Sequence, residues 1–192
     1  MSLRNAIYTG LASGLALLCM TGTAADHYLI DPQHSNAGFA YQHWGLSTQG
    51  GRFDRTAGTI DLDPIAKTGT IEVVIDAASV STGTDEFNKA LRGADFFDVA
   101  NHPDIRFHSS QLQFDGDRLI RLDGDLTIKG ITKPVVLDIG QFNCRFMLIY
   151  GRHTCGANGS ARILRSAFNM GRYVPFVGDE VVLYFSVEGI HE

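Results

Sequence analysis

Residues 80–107 read VSTGTDEFNKALRGADFFDVANHPDIRF, and this stretch interrupts a chain that otherwise has the residue pattern of β-strands. Apolar residues recur in it at helical spacing and would form one narrow stripe. The stripe consists of Phe87, Ala90, Leu91 and Ala94. A helix this short is marginal by itself, so its stripe must cover other apolar surface. The stretch therefore predicts a single short helix that covers one end of a β-structure.

Strand-like alternation lies on both sides of this stretch. Its clearest example is the segment 120–128, in which even-numbered positions are apolar or glycine and odd-numbered positions are charged or threonine. Such a segment is typical of an antiparallel strand with one buried face. The segment 46–51, LSTQGG, reads as a turn. The same alternation elsewhere gives a set of inner-face residues: Phe39, Tyr41, Ile60, Ile71, Val73, Phe107, Ile120, Leu122, Leu126, Leu183 and Phe185.

Eight or so strands at hairpin spacings predict either a sandwich or a closed barrel. The mid-chain helix favours the barrel, because a sandwich has two packed inner faces and little need of a covering helix. The predicted fold class is all-β, an eight-stranded antiparallel barrel with one short helix over an end. Barrels of this size are filled by side chains or hold one small ligand. Gly124 and Gly159 would leave space if they face inward, although strand glycines also mark bends and bulges.

The first 25 residues differ from the rest in composition. Arg4 is their only charge, an apolar segment occupies 10–20, and small residues at 23–25 suit cleavage. Because the apolar run is short for a membrane span, the pattern predicts a signal peptide at 1–25, one domain at 26–192 and a periplasmic location. An uncleaved N-terminal anchor is the alternative. No later segment reads as a membrane span.

Charge and cysteine content narrow the function. Loss of residues 1–25 changes the formal net charge from −5 to −6, which argues against nucleic acid as a partner. Cys144 and Cys155 then remain, an even count that favours a disulfide in an oxidising compartment, in a loop away from the strand interiors. The alternative is a metal site that includes His153, but two thiols and one histidine leave such a site short of a ligand.

No motif in the sequence predicts catalysis. The hydrolase motif G-x-S-x-G, the metalloprotease motif H-E-x-x-H and a phosphate-binding glycine loop are all missing. Four histidines, His34, His43, His102 and His108, lack the spacing of a metal site or a catalytic triad, so we predict structural roles for them. The expected protein is not an enzyme and needs no cofactor.

Five segments carry a further signal. They are YLIDPQHS at 28–35, FAYQHWGLSTQGGRF at 39–53, ALRGADFFDVANHPDIRF at 90–107, GDLTIKGITKPVVL at 124–137 and GDEVVLYFSVEGI at 178–190. In combination they resemble the YceI-like family of secreted bacterial polyisoprenoid-binding proteins. The resemblance implies an extended, lipocalin-like antiparallel barrel that binds a long isoprenoid or similar amphiphile in its lumen. The chain departs from the family at 165–169, where RSAFN replaces the usual Arg-Ser-Asp-Phe-Gly.

The expected function is non-enzymatic binding of a polyisoprenoid, an isoprenoid quinone or a similar long-chain lipid, for transport or storage in the periplasm. We expect ligand contacts from the inner-face residues together with Phe87 and Leu91 of the helix. Two alternatives stay open: a filled-core stress or interaction protein without a lumenal ligand, and a lipid-modifying enzyme. The sequence indicates neither the head group of the lipid nor the oligomeric state.

Overall fold

The computed structural model describes residues 25–192, so the predicted signal peptide lies outside the described residues except for its last position. The described chain consists mainly of antiparallel strands and one α-helix. In chain order these are β1 (Asp26–Ile30), β2 (Asn36–His43), β3 (Ser47–Phe53), β4 (Thr56–Asp63), β5 (Thr68–Asp76), β6 (Val80–Ser81), α1 (Asp85–Arg92), β7 (Asp104–Asp115), β8 (Arg118–Ile128), β9 (Ile131–Met147), β10 (Arg152–Leu164) and β11 (Val177–His191). Within 25–192, no helix has the length and apolar character needed to cross a membrane.

Eight of the strands form a closed ring. Neighbours follow the order β1, β4, β5, β7, β8, β9, β10, β11, and the ring closes where residues 28–30 of β1 pair with residues 189–191 of β11. Every pairing in the ring is antiparallel. The inward apolar side chains form one large hydrophobic cluster. The predicted eight-stranded antiparallel barrel is therefore confirmed.

Three further strands extend the wall beside the ring. β2 pairs with residues 177–186 of β11, β3 pairs with β2, and β6 pairs with β3. The prediction of a turn at 46–51 was wrong, because most of this segment forms β3 and the turn lies at 44–46. A Cβ on Gly50 would lie 2.3 Å from the carbonyl oxygen of Phe39, so the glycine that suggested a turn instead permits close strand pairing.

The predicted helix is present as α1 and lies beside β6, where Arg92 donates hydrogen bonds to two backbone carbonyls. None of its residues is buried, and Phe87 is 54% exposed. The deep contact in this region comes from Phe97 instead, whose ring packs against those of Phe39 and Phe53. The helix therefore borders one end of the barrel, and the segment that follows it anchors it to the core.

The two cysteines lie in a long hairpin. β9 continues to Met147 and β10 begins at Arg152, so that Cys144 and Cys155 are direct partners on adjacent strands and are joined by a disulfide. The predicted pairing is present, but its predicted position in a loop was wrong. This part of the hairpin extends beyond Asp138, the last residue of β9 that pairs with β8, so most of its side chains are exposed and show no apolar alternation.

Candidate functional site

An apolar cavity of about 620 Å³ lies inside the ring, and every ring strand contributes side chains to its wall. Apolar side chains dominate the wall because one face of each strand points to the common interior. The volume falls in the range of sites that hold one small ligand, about 300–1,000 Å³. An interior filled by side chains would leave no continuous space of this size.

Most of the residues predicted to face the interior line this cavity. They are Phe39, Tyr41, Ile60, Ile71, Val73, Phe87, Leu91, Phe107, Leu122, Leu126, Leu183 and Phe185. They come from six ring or wall strands and from α1, so residues up to 146 positions apart in the chain share one wall. Their contact with a bound molecule stays a prediction.

Ile120 is the exception, since it does not line the cavity. The pairing of β7 with β8 goes from Gln113 opposite Arg121 to Phe114 opposite Leu119, which leaves Ile120 as an extra residue in β8. Such a β-bulge reverses the alternation on one side of the extra residue. Leu119 consequently lines the cavity in its place and is buried. The strict even-odd pattern of the segment 120–128 contains no sign of the bulge.

The cavity is closed at the end where residues 28–30 of β1 pair with residues 189–191 of β11. Tyr28, Leu62 and Cys155 form a separate buried cluster there, and Leu112 and Phe142 pack against it. All five line the cavity. The sequence analysis did not identify this group, because its members come from five strands and only the ring topology brings them together.

The cavity is open at the end that carries α1. Ala90 of α1 and four larger residues both line the cavity and are exposed to solvent there; the four are Gln49 of β3, Glu86 and Phe87 of α1, and Tyr173 just before β11. We call the opening bounded by these four side chains the mouth. At this end the cavity communicates with solvent through the mouth.

Arg165 is a buried cation beside the mouth and lines the cavity. Its guanidinium donates hydrogen bonds to the carbonyl oxygens of Met170, Arg172, Val177 and Gly178. Burial lowers the pKa of Arg165, and the nearby charge of Asp179 opposes that change. Arginine stays charged at any ordinary pH, so this side chain fixes the backbone of 170–178 and brings positive charge to the cavity wall.

Thr56 belongs to the cavity lining and has a buried hydroxyl that is unpaired among the described residues. Its Oγ1 is buried and has no hydrogen-bond partner within residues 25–192. An unpaired buried hydroxyl costs about 1–3 kcal/mol, and this one is buried too deeply for a water-sized molecule in the cavity to reach it. Tyr41 is another polar group of the wall, and burial raises the pKa of its phenol.

The histidines do not form a common site. His34 bonds to Asp31 at 2.6 Å, His108 bonds to Glu72 at 2.5 Å, and His43 lines the cavity. Among the described residues, no group of three or more histidine, cysteine, aspartate or glutamate side chains is arranged to hold a metal ion. The site is therefore described by its apolar wall and the Arg165 cation.

Comparison with known proteins identifies relatives over nearly the whole described chain. The model of the YceI-like domain matches residues 28–189. A UPF0312 protein of Photorhabdus laumondii is 31% identical over 186 residues, which cover 95% of this chain and 96% of that protein. Protein YceI of Escherichia coli O6:H1 is 36% identical over 186 residues, which cover 92% of this chain and 94% of that protein.

Solved structures agree with these sequence matches. The crystal structure of BcnA from Burkholderia cenocepacia has a TM-score of 0.69 and 27% identity, and the match covers 83% of this chain and 98% of BcnA. A polyisoprenoid binding domain from Saccharophagus degradans, implicated in plant cell wall breakdown, has a TM-score of 0.66 and 16% identity. The match covers 88% of this chain and 99% of that domain. At this identity the likeness concerns the fold. With the family model matched from β1 to β11 and relatives above 30% identity along nearly the full length, the chain belongs to the YceI-like family.

Proposed function

We propose that this protein binds one long-chain lipid of the polyisoprenoid type, such as a polyprenyl lipid or an isoprenoid quinone, and carries or stores it in the periplasm. The observation that carries the proposal is the apolar cavity of about 620 Å³ inside a closed ring, with an exposed mouth at the α1 end. The Saccharophagus degradans relative described as a polyisoprenoid binding domain supports the same class of ligand.

The chemistry of the wall suits an extended hydrocarbon. Each buried methylene contributes about 0.8 kcal/mol, so a chain of several isoprene units gains its affinity from contact area and needs few polar contacts. The lining residues predicted from the sequence would contact the chain along its length. Arg165 brings positive charge to the wall beside the mouth, where a head group would lie.

Binding without catalysis is the better account of this wall. A lipid-modifying enzyme needs a nucleophile or a proton-transferring group held beside the reacting atom. Among the described residues that line the cavity, Cys155 is blocked by its disulfide and Arg165 is engaged with backbone carbonyls. Glu86 is exposed at the mouth, and the His43 ring forms no hydrogen bond within residues 25–192. The filled-core alternative requires an interior without free volume, which the cavity argues against.

Native mass spectrometry of the protein purified from its host tests the proposal directly. We expect a species heavier than the polypeptide by one lipid, and extraction of that lipid should give an isoprenoid. A polyprenyl lipid added at about 100 times its Kd should raise the unfolding free energy by about 2.7 kcal/mol. An unloaded protein that no long-chain lipid stabilises would contradict the proposal.

Cell fractionation and N-terminal sequencing test the location. Removal of residues 1–25 would give a soluble periplasmic protein that begins at Asp26. A membrane-bound protein that begins at its first residues would support the alternative of an uncleaved anchor.

A further inference from the structure

Six exposed apolar side chains surround the mouth. We call them the rim: Trp44, Leu46, Phe87, Tyr173, Val174 and Phe176. Their exposed fractions run from 38% for Val174 to 85% for Leu46. They come from three separate parts of the chain: the turn between β2 and β3, the helix α1, and the segment before β11. Side chains this apolar and this exposed mark a surface that contacts an apolar partner when they lie together.

The rim is held in place by ordinary structural contacts. The rings of Trp44 and Phe176 stack with centroids 4.7 Å apart, and the backbone N–H of Trp44 donates to the carbonyl of Phe176 at 2.8 Å. These contacts join the β2–β3 turn to the segment before β11. Arg165 fixes that segment from beneath by bonding to the carbonyls of Arg172 and Val177. The exposed rings are therefore presented by fixed backbone.

Charge is nearly lacking on the two loops of the rim. Residues 44–49 and 173–178 contain no charged side chain, and Arg172 forms an ion pair with Asp95 at 2.8 Å. The basic clusters that attract proteins to anionic lipid surfaces are missing from these two loops. Tryptophan and tyrosine rings instead suit the boundary between head groups and acyl chains, where one end of the ring is wet and the other is apolar. The composition of the two loops favours a neutral lipid surface over an anionic one, and the charged residue that bounds the mouth, Glu86, is acidic.

The rim is continuous with the cavity. Phe87 and Tyr173 belong both to the rim and to the wall of the cavity. The opposite end also has exposed aliphatic residues, Leu148 and Ile149, at the tip of the β9–β10 hairpin, but the cavity is closed there by the Tyr28 cluster. The apolar patch that touches the opening is therefore the one at the α1 end.

We propose that the rim inserts into the interfacial layer of a zwitterionic lipid bilayer, so that the mouth opens directly onto the membrane. The inference rests on the proposed function for its purpose, because a long-chain lipid that leaves or enters the mouth then passes between bilayer and cavity without crossing water. The contact itself needs only the rim. Binding to a bilayer that contains no polyisoprenoid therefore tests the surface separately from the ligand.

Trp44 supplies the measurement, because it is the only tryptophan in the chain. Vesicles of pure phosphatidylcholine are added to the protein purified from its host. We expect the tryptophan emission to shift to shorter wavelength, to be quenched by brominated phosphatidylcholine, and to be insensitive to salt. The same protein should float with the vesicles in a density gradient.

Two paired variants locate the contact. Leu46→Ser with Val174→Ser removes rim area from residues that do not line the cavity, and Leu148→Ser with Ile149→Ser removes similar area from the closed end. The rim pair should lower vesicle partitioning about tenfold or more, by loss of buried aliphatic area, whereas the hairpin pair should leave it unchanged. Both variants should keep the lipid seen by native mass spectrometry.

Several outcomes would overturn the inference. The first is a Trp44 emission unchanged at vesicle excess in a protein that still carries lipid. The second is equal loss of partitioning in both paired variants. Binding confined to anionic vesicles and abolished by salt would point to an electrostatic contact. A dimer seen by sedimentation that dissociates in the rim pair would show that a second copy covers the rim. A protein that binds vesicles but never carries lipid contradicts only the proposed function.

Discussion

Two strand glycines lie beneath aromatic rings of neighbouring strands. A Cβ on Gly124 would lie 2.8 Å from the ring of Phe107, and a Cβ on Gly159 would lie 2.4 Å from the ring of Phe185. The space expected at these glycines is therefore occupied by rings that form part of the cavity wall. At the scale of single residues, glycine here fixes where an aromatic side chain sits and so shapes the lumen.

Gly124→Ala should destabilise the protein by about 1–3 kcal/mol, because the added methyl would lie 2.4 Å from the carbonyl oxygen of His108 as well as against the Phe107 ring. Gly140→Ala is the matched control in another ring strand, since the nearest atom to its Cβ is 4.0 Å away. The unfolding free energy of the control should lie within about 0.5 kcal/mol of the wild-type value or above it. Urea unfolding measures the unfolding free energy of both variants. Equal losses in the two variants would contradict the packing described at Gly124.

Val73→Phe should lower lipid affinity while the unliganded protein loses less than about 1 kcal/mol, because the larger side chain enters free cavity volume. Val136→Phe is the control, since Val136 is 38% exposed and does not line the cavity. Thermal unfolding with and without a polyprenyl lipid separates the effect on lipid affinity from the effect on the stability of the unliganded protein. A loss of 1–3 kcal/mol without lipid, together with a wild type that lipid does not stabilise, would indicate a filled core.

At the scale of elements, the disulfide joins the two strands of the β9–β10 hairpin in the part that extends beyond the pairing of β9 with β8. Cys155 also packs in the cluster that closes the cavity, so the bridge links the projecting tip to the closed end. The bridge therefore acts on the strand framework and not on a peripheral loop. Loss of the disulfide should therefore destabilise the closed end of the cavity and not the mouth.

Replacing both Cys144 and Cys155 by serine should lower the unfolding free energy by about 3 kcal/mol, because the bridge closes a loop with a sequence separation of 11 residues. Urea unfolding of oxidised wild type and variant measures the loss. Thiol labelling of unfolded, unreduced protein should find no free cysteine among residues 26–192. Two labelled thiols there would show that the bridge does not form in the cell.

β1, the strand that closes the ring, contains a histidine whose positive charge stabilises the folded state. His27 of β1 bonds to Asp61 of β4 at 2.6 Å and lies 3.5 Å from Glu192. The hydrogen bond to Asp61 raises the pKa of His27. Because the folded pKa lies above the unfolded value of about 6.5, the stabilisation is complete below that pH and is lost as the pH rises through the folded pKa.

The Tm of the wild type should therefore fall as the pH rises from about 6.5 through the raised pKa of His27, and His27→Gln should show a smaller fall. His153→Gln is the control, since the ring of His153 packs on Phe146 at the hairpin tip. Calorimetry at several pH values in this range measures the slope of Tm against pH for each protein. An identical slope in wild type and His27→Gln would contradict the role of this pair.

At the scale of the whole molecule, the sequence predicted the ring and most of its wall, because each ring strand keeps one apolar face over several residues. It could not place Ile120, since an extra residue in β8 is defined by the pairing with β7 and not by β8 itself. It missed β3, whose glycines and polar residues lack a continuous apolar face. The cluster of Tyr28, Leu62 and Cys155 depends on contacts between distant strands, which no local pattern encodes.

The closure of the ring by residues 28–30 and 189–191 has a consequence for biosynthesis. The first ring strand leaves the ribosome early, and the strand that completes its pairing leaves last. Until then the partly made sheet has two open edges and cannot form its enclosed interior. The interior therefore closes only after β11 has been made, so the barrel is completed in one late step and not strand by strand.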